Sequence, residues 1–598
     1  MREEDRLSIL ESGSYVSSVL SRLDRILLQA LGDRVRAIAI LHPSSPHRPL
    51  SQGQPALLST VDIGLILDPQ QALRLVDHGP RADEDERLTQ IFRDFWGDKS
   101  ELRRFKDGSI QESVVWEVNT SAERVHIPLR IMEHVLLRHF GIKMVESIGP
   151  SYDALLAIPP SIVKYRGIPE SASGFRSAIQ AFDELVKGFK AVDLPLSLVS
   201  CSPVAEGLRY TSVFPPVPIP TSRLHSMPEC ARYTAVHEAT LMFEKSAKWP
   251  DDLGAIQKLK LAWFEKLARL VVDKFDGSRA EVAIDDGTSP IEDNASLEVL
   301  LPEGHAFRLR IYHDRERTLL ERKLDDKAVQ GFDRHEAQKA LDLHIRRFIQ
   351  PPQHHAAIMN MHHRYIGWSP SVRLVKRWCA AHMLSLHICP EVIELLVAHV
   401  FLRADTRPAP HTGPCGFVRT LDFIRNWDWK DEPLMVPLYT AAGLEDPDTP
   451  AVFAKEKNEQ AQQAFKESRT LDPGMSKGAW FIATEEDVKS TCWTGLGRAP
   501  TPMIADRLKM LARASYQFLE QGTEAGGFDV KVRFGQLPDN NLRLTKVVIW
   551  KDSVPASTGG LRLSSTPPSK SITKLYTEYS RGRNALDQKI EVRQHHGS

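Results

Sequence analysis

The stretch Phe175–Ser200, "FRSAIQAFDELVKGFKAVDLPLSLVS", sets the frame for the rest of the chain. Phe175, Ala178, Ile179, Phe182, Leu185, Val186 and Phe189 keep to one helical stripe, as in an amphipathic helix lying on a core. The short apolar run "LPLSLVS" that follows predicts a buried strand, so an α/β domain begins here. Downstream, Trp249-Pro250 leads into "DDLGAIQKLKLAWFEKLARLVVDKF", a long helix with acidic residues in its first turn. "HAFRLRIYHD" alternates Phe307, Leu309 and Ile311 against Arg308, Arg310 and Tyr312 as a strand.

From about Asp326 to Leu402 the pattern turns helical, with "VRLVKRWCAAHML" and "PEVIELLVAHVFL" as the clearest segments. A Pro-rich loop at Arg407 to Pro414 and a polar insert at Lys455 to Lys477 follow, and then "AWFIATEEDVKSTCWTGLGRAP". Upstream, "YVSSVLSRLDRILLQALGDRVRAIAIL" reads as a helix leading into a strand, and Asp68-Pro69 stops a second strand. Phe92, Phe95 and Trp96 share one face of a charged helix, after which "GSIQESVVWE" is a strand entered through Asp107-Gly108. "IGLILDPQQALRLVDHGP" and "WFIATEEDVKSTCWTGLGRAP" echo each other, which suggests two copies of one module. Past Asp552 a Ser/Thr/Pro-rich tail is expected to be disordered.

With 598 residues, 42% hydrophobic, the chain can bury several cores, and three or four domains are expected. Seventy-seven basic residues balance 77 acidic ones, so contact with nucleic acid must come from local patches. The cysteines form no C-x-x-C pair, which argues against a disulfide framework and a thiolate zinc site and fits a reducing compartment. No signal-peptide pattern opens the sequence, and the apolar run Leu395–Leu402 is far below the roughly 20 residues that span a bilayer. A soluble, intracellular protein without membrane contact is expected.

Metal binding is the first chemistry to weigh, because His354, His355, His362 and His363 fall within ten positions. No cysteine or close carboxylate completes a ligand set, and on a polar loop such pairs are solvated. "HEATL" at His237 and "HEAQK" at His335 begin like a zincin helix, but Leu241 and Lys339 stand where the second histidine belongs. "GLG" at Gly495–Gly497 lacks the third glycine of a dinucleotide loop, and neither a phosphate-cradling P-loop nor a G-x-S-x-G nucleophile elbow occurs. Asp285-Asp286 and Glu292-Asp293 sit in a Gly/Ser/Pro-rich stretch, where a solvated loop is expected rather than a divalent-cation site. Two basic clusters point to RNA: Arg103, Arg104 and Lys106 around Phe105, and Arg373, Lys376 and Arg377 beside Trp378. Cations beside aromatics suit phosphates and base stacking, although they also make ordinary solvated faces.

"LILDPQQALRLVDHGPRADEDERLTQIFRDFWGDKSELRRFKDGSIQESVVWE", "LPLSLVSCSPVAEGLRYTSVFPP", "KWPDDLGAIQKLKLAWFEKL", "VRLVKRWCAAHML" with "ELLVAHVFL", and "FVRTLDFIRNWDWKDEPL" closely resemble the Nrap family of eukaryotic ribosome assembly, over about Leu20 to Leu519. The resemblance implies a multidomain α+β protein from the later part of two tandem units like an archaeal CCA-adding enzyme. By it, residues 1–149 are a tail-like α/β module and 150–323 a nucleotidyltransferase-like α/β domain. Residues 324–477 become a mostly helical domain like poly(A) polymerase or oligoadenylate synthetase, and 478–552 a second, partial tail-like module.

An active nucleotidyltransferase carries a Gly-Ser turn and then two carboxylates, one residue apart, on a strand that holds two metal ions. After Gly207 this chain has no Asp or Glu until Glu229, so the resemblance implies a domain with no catalytic residues, metal or cofactor. It further implies a nucleolar, nuclear component of the small-subunit processome in pre-18S rRNA processing, with pre-rRNA, U3 small nucleolar ribonucleoprotein components and other processome proteins as partners. An active template-independent RNA nucleotidyltransferase is the competing expectation.

Overall fold

A computed structural model describes residues 15–524 except for 42–61, 403–408, 443–451, 492–498 and shorter loop breaks, together with the isolated pair 561–562. Asp286, Gly495–Gly497 and, apart from that pair, the tail at 553–598 lie outside the described residues. The chain divides into two units, Met1–Gly149 and Pro150–Ser598.

In the first unit, helix α1 (Tyr15–Leu31) leads through a turn at Gly32–Arg34 into β1 (Val35–Leu41), which pairs antiparallel with β2 (Asp62–Leu67). A second, antiparallel sheet has the order β3-β5-β4, from Val76–Arg81, Ile110–Val115 and Ser100–Arg104. Helix α2 (Glu86–Trp96) starts where the Asp85 carboxylate accepts the Arg87 N–H at 3.0 Å, an ordinary N-cap. Phe92 packs so close to β3 that a Cβ at Gly79 would sit 2.8 Å from its ring. Phe95 and Trp96 enter a core with Leu27, Leu31, Val114 and the Ile127, Ile131 and Val135 side of α3 (Ile127–Phe140). Arg34 is fully buried. Its guanidinium donates twice to Asp77 (3.1 and 2.9 Å) and to the carbonyls of Ala72 and Arg74, while the Trp116 indole also donates to Asp77.

The second unit is built on a five-stranded sheet. Its strands are β6 (Leu198–Pro203), β7 (Val236–Phe243), β8 (Arg279–Ile284), β9 (Ala295–Leu300) and β10 (Ala306–Tyr312), in the order β6-β7-β10-β9-β8. Only β7 and β10 run parallel. Helices α4 (Phe175–Lys190) and α5 (Leu253–Lys274) share its core: Phe182, Leu185, Phe264 and Leu267 pack with Phe307, Leu309 and Ile311. The strand expected at Leu194–Ser200 begins four residues later, at Leu198, and Leu196 ahead of it joins the core.

After α6 (Asp314–Asp325), one helical run crosses from the sheet to the helical domain: α7 (Gly331–His344), a π turn (Ile345–Ile349) and α8 (Gln350–Arg364). Ala340 and Leu341 of α7 pack with Leu253 and Leu320 on the sheet side, whereas Ala357, Ile358 and Met361 of α8 enter the helical core. The run starts just after the division expected near Leu324, and α7 buries its apolar face against α5 and α6.

Helices α9 (Trp368–Ala381), α10 (Pro390–Leu402) and α11 (Gly413–Asn426) complete the helical core with Trp368, Trp378, Leu395, Phe401 and Phe417. Strand β11 (Leu434–Val436) pairs parallel with β12 (Ile482–Thr484) across helix α12 (Lys455–Leu471), and α13 (Pro502–Glu524) lies on α11. Trp480, Ile482, Ala505, Leu508 and Ala512 belong to the same core, and the Trp378 indole donates to Ser515 at 3.1 Å. Residues 479–484 and 502–512 thus pack on the helical core, in the region where a second tail-like module was expected. The sequence echo has no counterpart in pairing either: β2 is antiparallel to β1, whereas β12 is parallel to β11.

Candidate functional site

Beyond β6 the chain turns sharply and carries Glu206, Arg209, Tyr210 and Thr211 toward the helices. Tyr210 adopts φ 61°, a left-handed value that costs a non-glycine residue about 1–3 kcal/mol. The surroundings over-determine it: Ser369 Oγ donates to its carbonyl at 2.6 Å, and its ring stacks on His362 with centroids 4.1 Å apart. A Cβ on Gly207 would lie 2.4 Å from the His237 imidazole, so glycine here admits a packed histidine from β7. Burial pushes that imidazole down to about 3, which leaves it neutral.

Helices α8, α9 and α10 supply the partners. Glu394 is wholly buried in helix α10. It accepts from Arg209 Nε at 3.1 and 3.2 Å, from Thr211 Oγ1 at 2.6 Å and from Lys376 Nζ at 2.7 Å, and it lies 2.7 Å from His354 Nε2. Lys376 also donates to Glu206 at 2.6 Å, and Arg209 reaches Glu391 at 3.4 Å. Burial opposes ionisation of Glu394, but the Arg209 and Lys376 charges outweigh it and hold the carboxyl well below its ordinary value. Burial opposes charge on Lys376 too, and Glu206 and Glu394 reverse that, raising it. Burial pushes His355 down to about 3 and His362 to about 4.

The arrangement spends its charges on itself. Both cations are committed to carboxylates, Glu394 is shared among four side chains, and an ion pair of this kind holds two layers together while leaving no open group for a phosphate or metal ion. Among the described residues no three His, Cys, Asp or Glu side chains converge as a metal would require.

Three family models of one protein family match in sequence order: Nrap protein domain 3 over residues 2–141, Nrap protein nucleotidyltransferase domain 4 over 153–363, and Nrap protein PAP/OAS1-like domain 5 over 365–536. The chain belongs to the Nrap family. U3 small nucleolar RNA-associated protein 22 of Schizosaccharomyces pombe is 33% identical over 507 residues, covering 83% of this chain and 43% of that protein. Human nucleolar protein 6 is 28% identical over 531 residues, covering 85% and 42%. The chain thus spans less than half the length of these relatives. Terminal uridylyl transferase 4 from Trypanosoma brucei with bound UPU overlaps 60% of the chain and 98% of its own at 14% identity, with a TM-score of 0.27, too loose to bear on function.

The charge cluster therefore lies between the nucleotidyltransferase-type domain and the PAP/OAS1-like domain of an Nrap protein. It absorbs residues expected elsewhere. Lys376, expected at an RNA surface with Arg373 and Arg377, is buried on two carboxylates and can reach no phosphate. Arg373 donates to the carbonyls of Ser212, Val213 and Leu156 and lies over the Phe175 ring, and Arg377 lies 5.3 Å from the Phe214 ring. The histidine pairs stand on helix α8 and not on a solvated loop, with Pro351 and Pro352 directly after the π turn of a continuous helical run; His354, His355 and His362 are buried and His363 is exposed. His237 lies on a strand and His335 on α7.

In the acidic stretch, Asp285 and Asp293 are engaged by cations and not simply solvated. Asp293 accepts from Lys260 at 2.9 Å and from Arg310 and Arg347 at 3.2 Å, and Asp285 accepts from Arg310 at 3.1 Å and Arg347 at 2.9 Å. Lys260, fully buried, also pairs with Glu316 at 2.6 Å and lies 5.0 Å from the Phe348 ring. In the first unit, by contrast, Arg103, Arg104 and Lys106 are exposed on or just beyond β4, the edge strand. Arg103 pairs with Glu101 (2.9 Å), and Phe105 packs 4.8 Å from His78.

Sequence reading missed Glu206, Arg209, His354 and Glu394 as a set. The available signal was a single carboxylate, Glu394, inside the apolar run "VIELLVAHVFL".

Proposed function

We propose that this Nrap chain is a non-catalytic structural component of the nucleolar small-subunit processome, acting in pre-18S rRNA processing through RNA and protein contacts. The observation that carries the non-catalytic part is the turn after β6. No carboxylate lies between Gly207 and Pro228, and the acidic groups that do approach, Glu206, Glu391 and Glu394, are held by Arg209 and Lys376. Two metal ions would have nothing to bind there. The relatives' names, which speak of U3 small nucleolar RNA and the nucleolus, support the ribosome-assembly part, with pre-rRNA and U3 ribonucleoprotein components as partners. On this reading the first unit is the tail-like module and presents Arg103, Arg104 and Lys106 to RNA phosphates.

Purified chain incubated with an RNA primer, magnesium or manganese and each nucleoside triphosphate should not extend the primer. Template-independent extension would establish the competing reading, an active RNA nucleotidyltransferase. Crosslinking within purified pre-ribosomes should recover the chain on pre-rRNA or U3 RNA, and recovery on neither would remove the processome assignment.

A further inference from the structure

We propose that two ionic clusters, one buried and one partly buried, form a two-point latch that makes the nucleotidyltransferase-type sheet and the PAP/OAS1-like helices one rigid body, so that the two do not hinge apart. The helical run from Gly331 to Arg364 is anchored in the sheet-side core at Ala340 and Leu341 and in the helical core at Ala357, Ile358 and Met361. A wide π turn at the crossing is the place where such a run would flex. Instead the turn is pinned. Arg347 donates to Asp285 and Asp293 beyond the ends of β8 and ahead of β9, and Phe348 packs over the Lys260 that also holds Asp293 and Glu316.

Seven residues on, His354 meets Glu394, which Arg209 ties to the turn after β6. At 1.5 Å of rise per residue the two attachments stand about 10 Å apart along one helix. A single ionic pivot leaves rotation about itself; two, set apart on the same rod, remove it. The Glu394 cluster is desolvated and the Arg347–Asp285 pair is partly buried, so salt at physiological strength screens both less than it would a surface pair. Whether the two parts move is separate from whether they catalyse, and the test reads mobility alone.

Native-state hydrogen exchange of the full chain measures it. In the parent, amides of β7 and β10 and those of α8 and α10 should open as one cooperative unit as urea rises. In R347M/K376M, which removes a cation from each cluster, α8 and α10 should exchange about tenfold or more faster than the sheet, as expected when hydrogen bonds to charged groups are lost. If that variant does not fold, R347K, which keeps the charge and loses the two-pronged bond, should show the same split confined to residues 331–364. Separate opening of sheet and helices in the parent, or a common rate retained in the folded variants, overturns the latch.

Discussion

Two basic clusters look alike in sequence and meet opposite fates. "LRRFK" and "VRLVKRW" each set three cations around an aromatic, yet Arg103, Arg104 and Lys106 stand in solvent while Lys376 is sealed between two carboxylates. The difference lies in the element. An edge strand with one neighbour leaves its side chains and outer edge uncovered, whereas a helix packed on several sides buries every face, and a cation there must find a carboxylate. Cation density alone therefore does not mark an RNA surface; the packing of the element that carries it does.

The strongest test of this contrast is Lys376→Ala, which leaves Glu206 and Glu394 short of a buried partner and should cost about 3–5 kcal/mol in urea unfolding. A loss below about 1 kcal/mol would put Lys376 on a surface after all.

The second test uses acid. His355 titrates near 3 in the fold and at about 6.5 when unfolded, so the unfolded chain binds the extra proton and stability falls as pH drops below about 6.5. At pH 5, relative to pH 8, that residue alone should cost about 2 kcal/mol, seen as a smaller acid loss in His355→Gln than in the parent. Parallel pH profiles would show the imidazole to be accessible in the fold.

Arg373→Ala should cost about 1–2 kcal/mol by orphaning the carbonyls of Ser212, Val213 and Leu156, without changing RNA affinity. Weaker RNA binding by a variant of unchanged stability would reverse the assignment.

The smallest effect on stability belongs to the exposed cluster. R103A, R104A and K106A should each cost less than about 0.5 kcal/mol, since the Arg103–Glu101 pair is exposed on both sides. Together they should lower the salt dependence of single-stranded RNA binding by about 2 units of slope if all three contact phosphates. An unchanged slope would leave that strand an ordinary solvated edge.

Local patterns were legible where burial follows period. The stripe from Ala178 to Phe189 and the alternation of Phe307, Leu309 and Ile311 both reach the sheet core, because each depends only on one face meeting apolar neighbours. The ionic clusters were not legible, because their partners come from far along the chain: Lys376 and Glu206 are separated by 170 positions, Arg209 and Glu394 by 185. The histidine pairs were misplaced for a local reason. The surrounding "QPPQHH" is polar, yet Pro351 and Pro352 directly follow the π turn of a run that is helical from Gly331 to Arg364 and do not interrupt it.

The π turn at Ile345–Ile349 has a further meaning as an insertion. Such a turn is an α-helix with one residue more than its geometry needs. The wider turn takes up the surplus residue, so deleting it would restore a regular helix while His354 still faces Glu394 and Ala357, Ile358 and Met361 still face the helical core. What the deletion would disturb is the widened stretch itself, which carries Arg347 and Phe348 to Asp285, Asp293 and Lys260. One surplus residue thus serves the grip of the run on the sheet and not the phase of the helices beyond it.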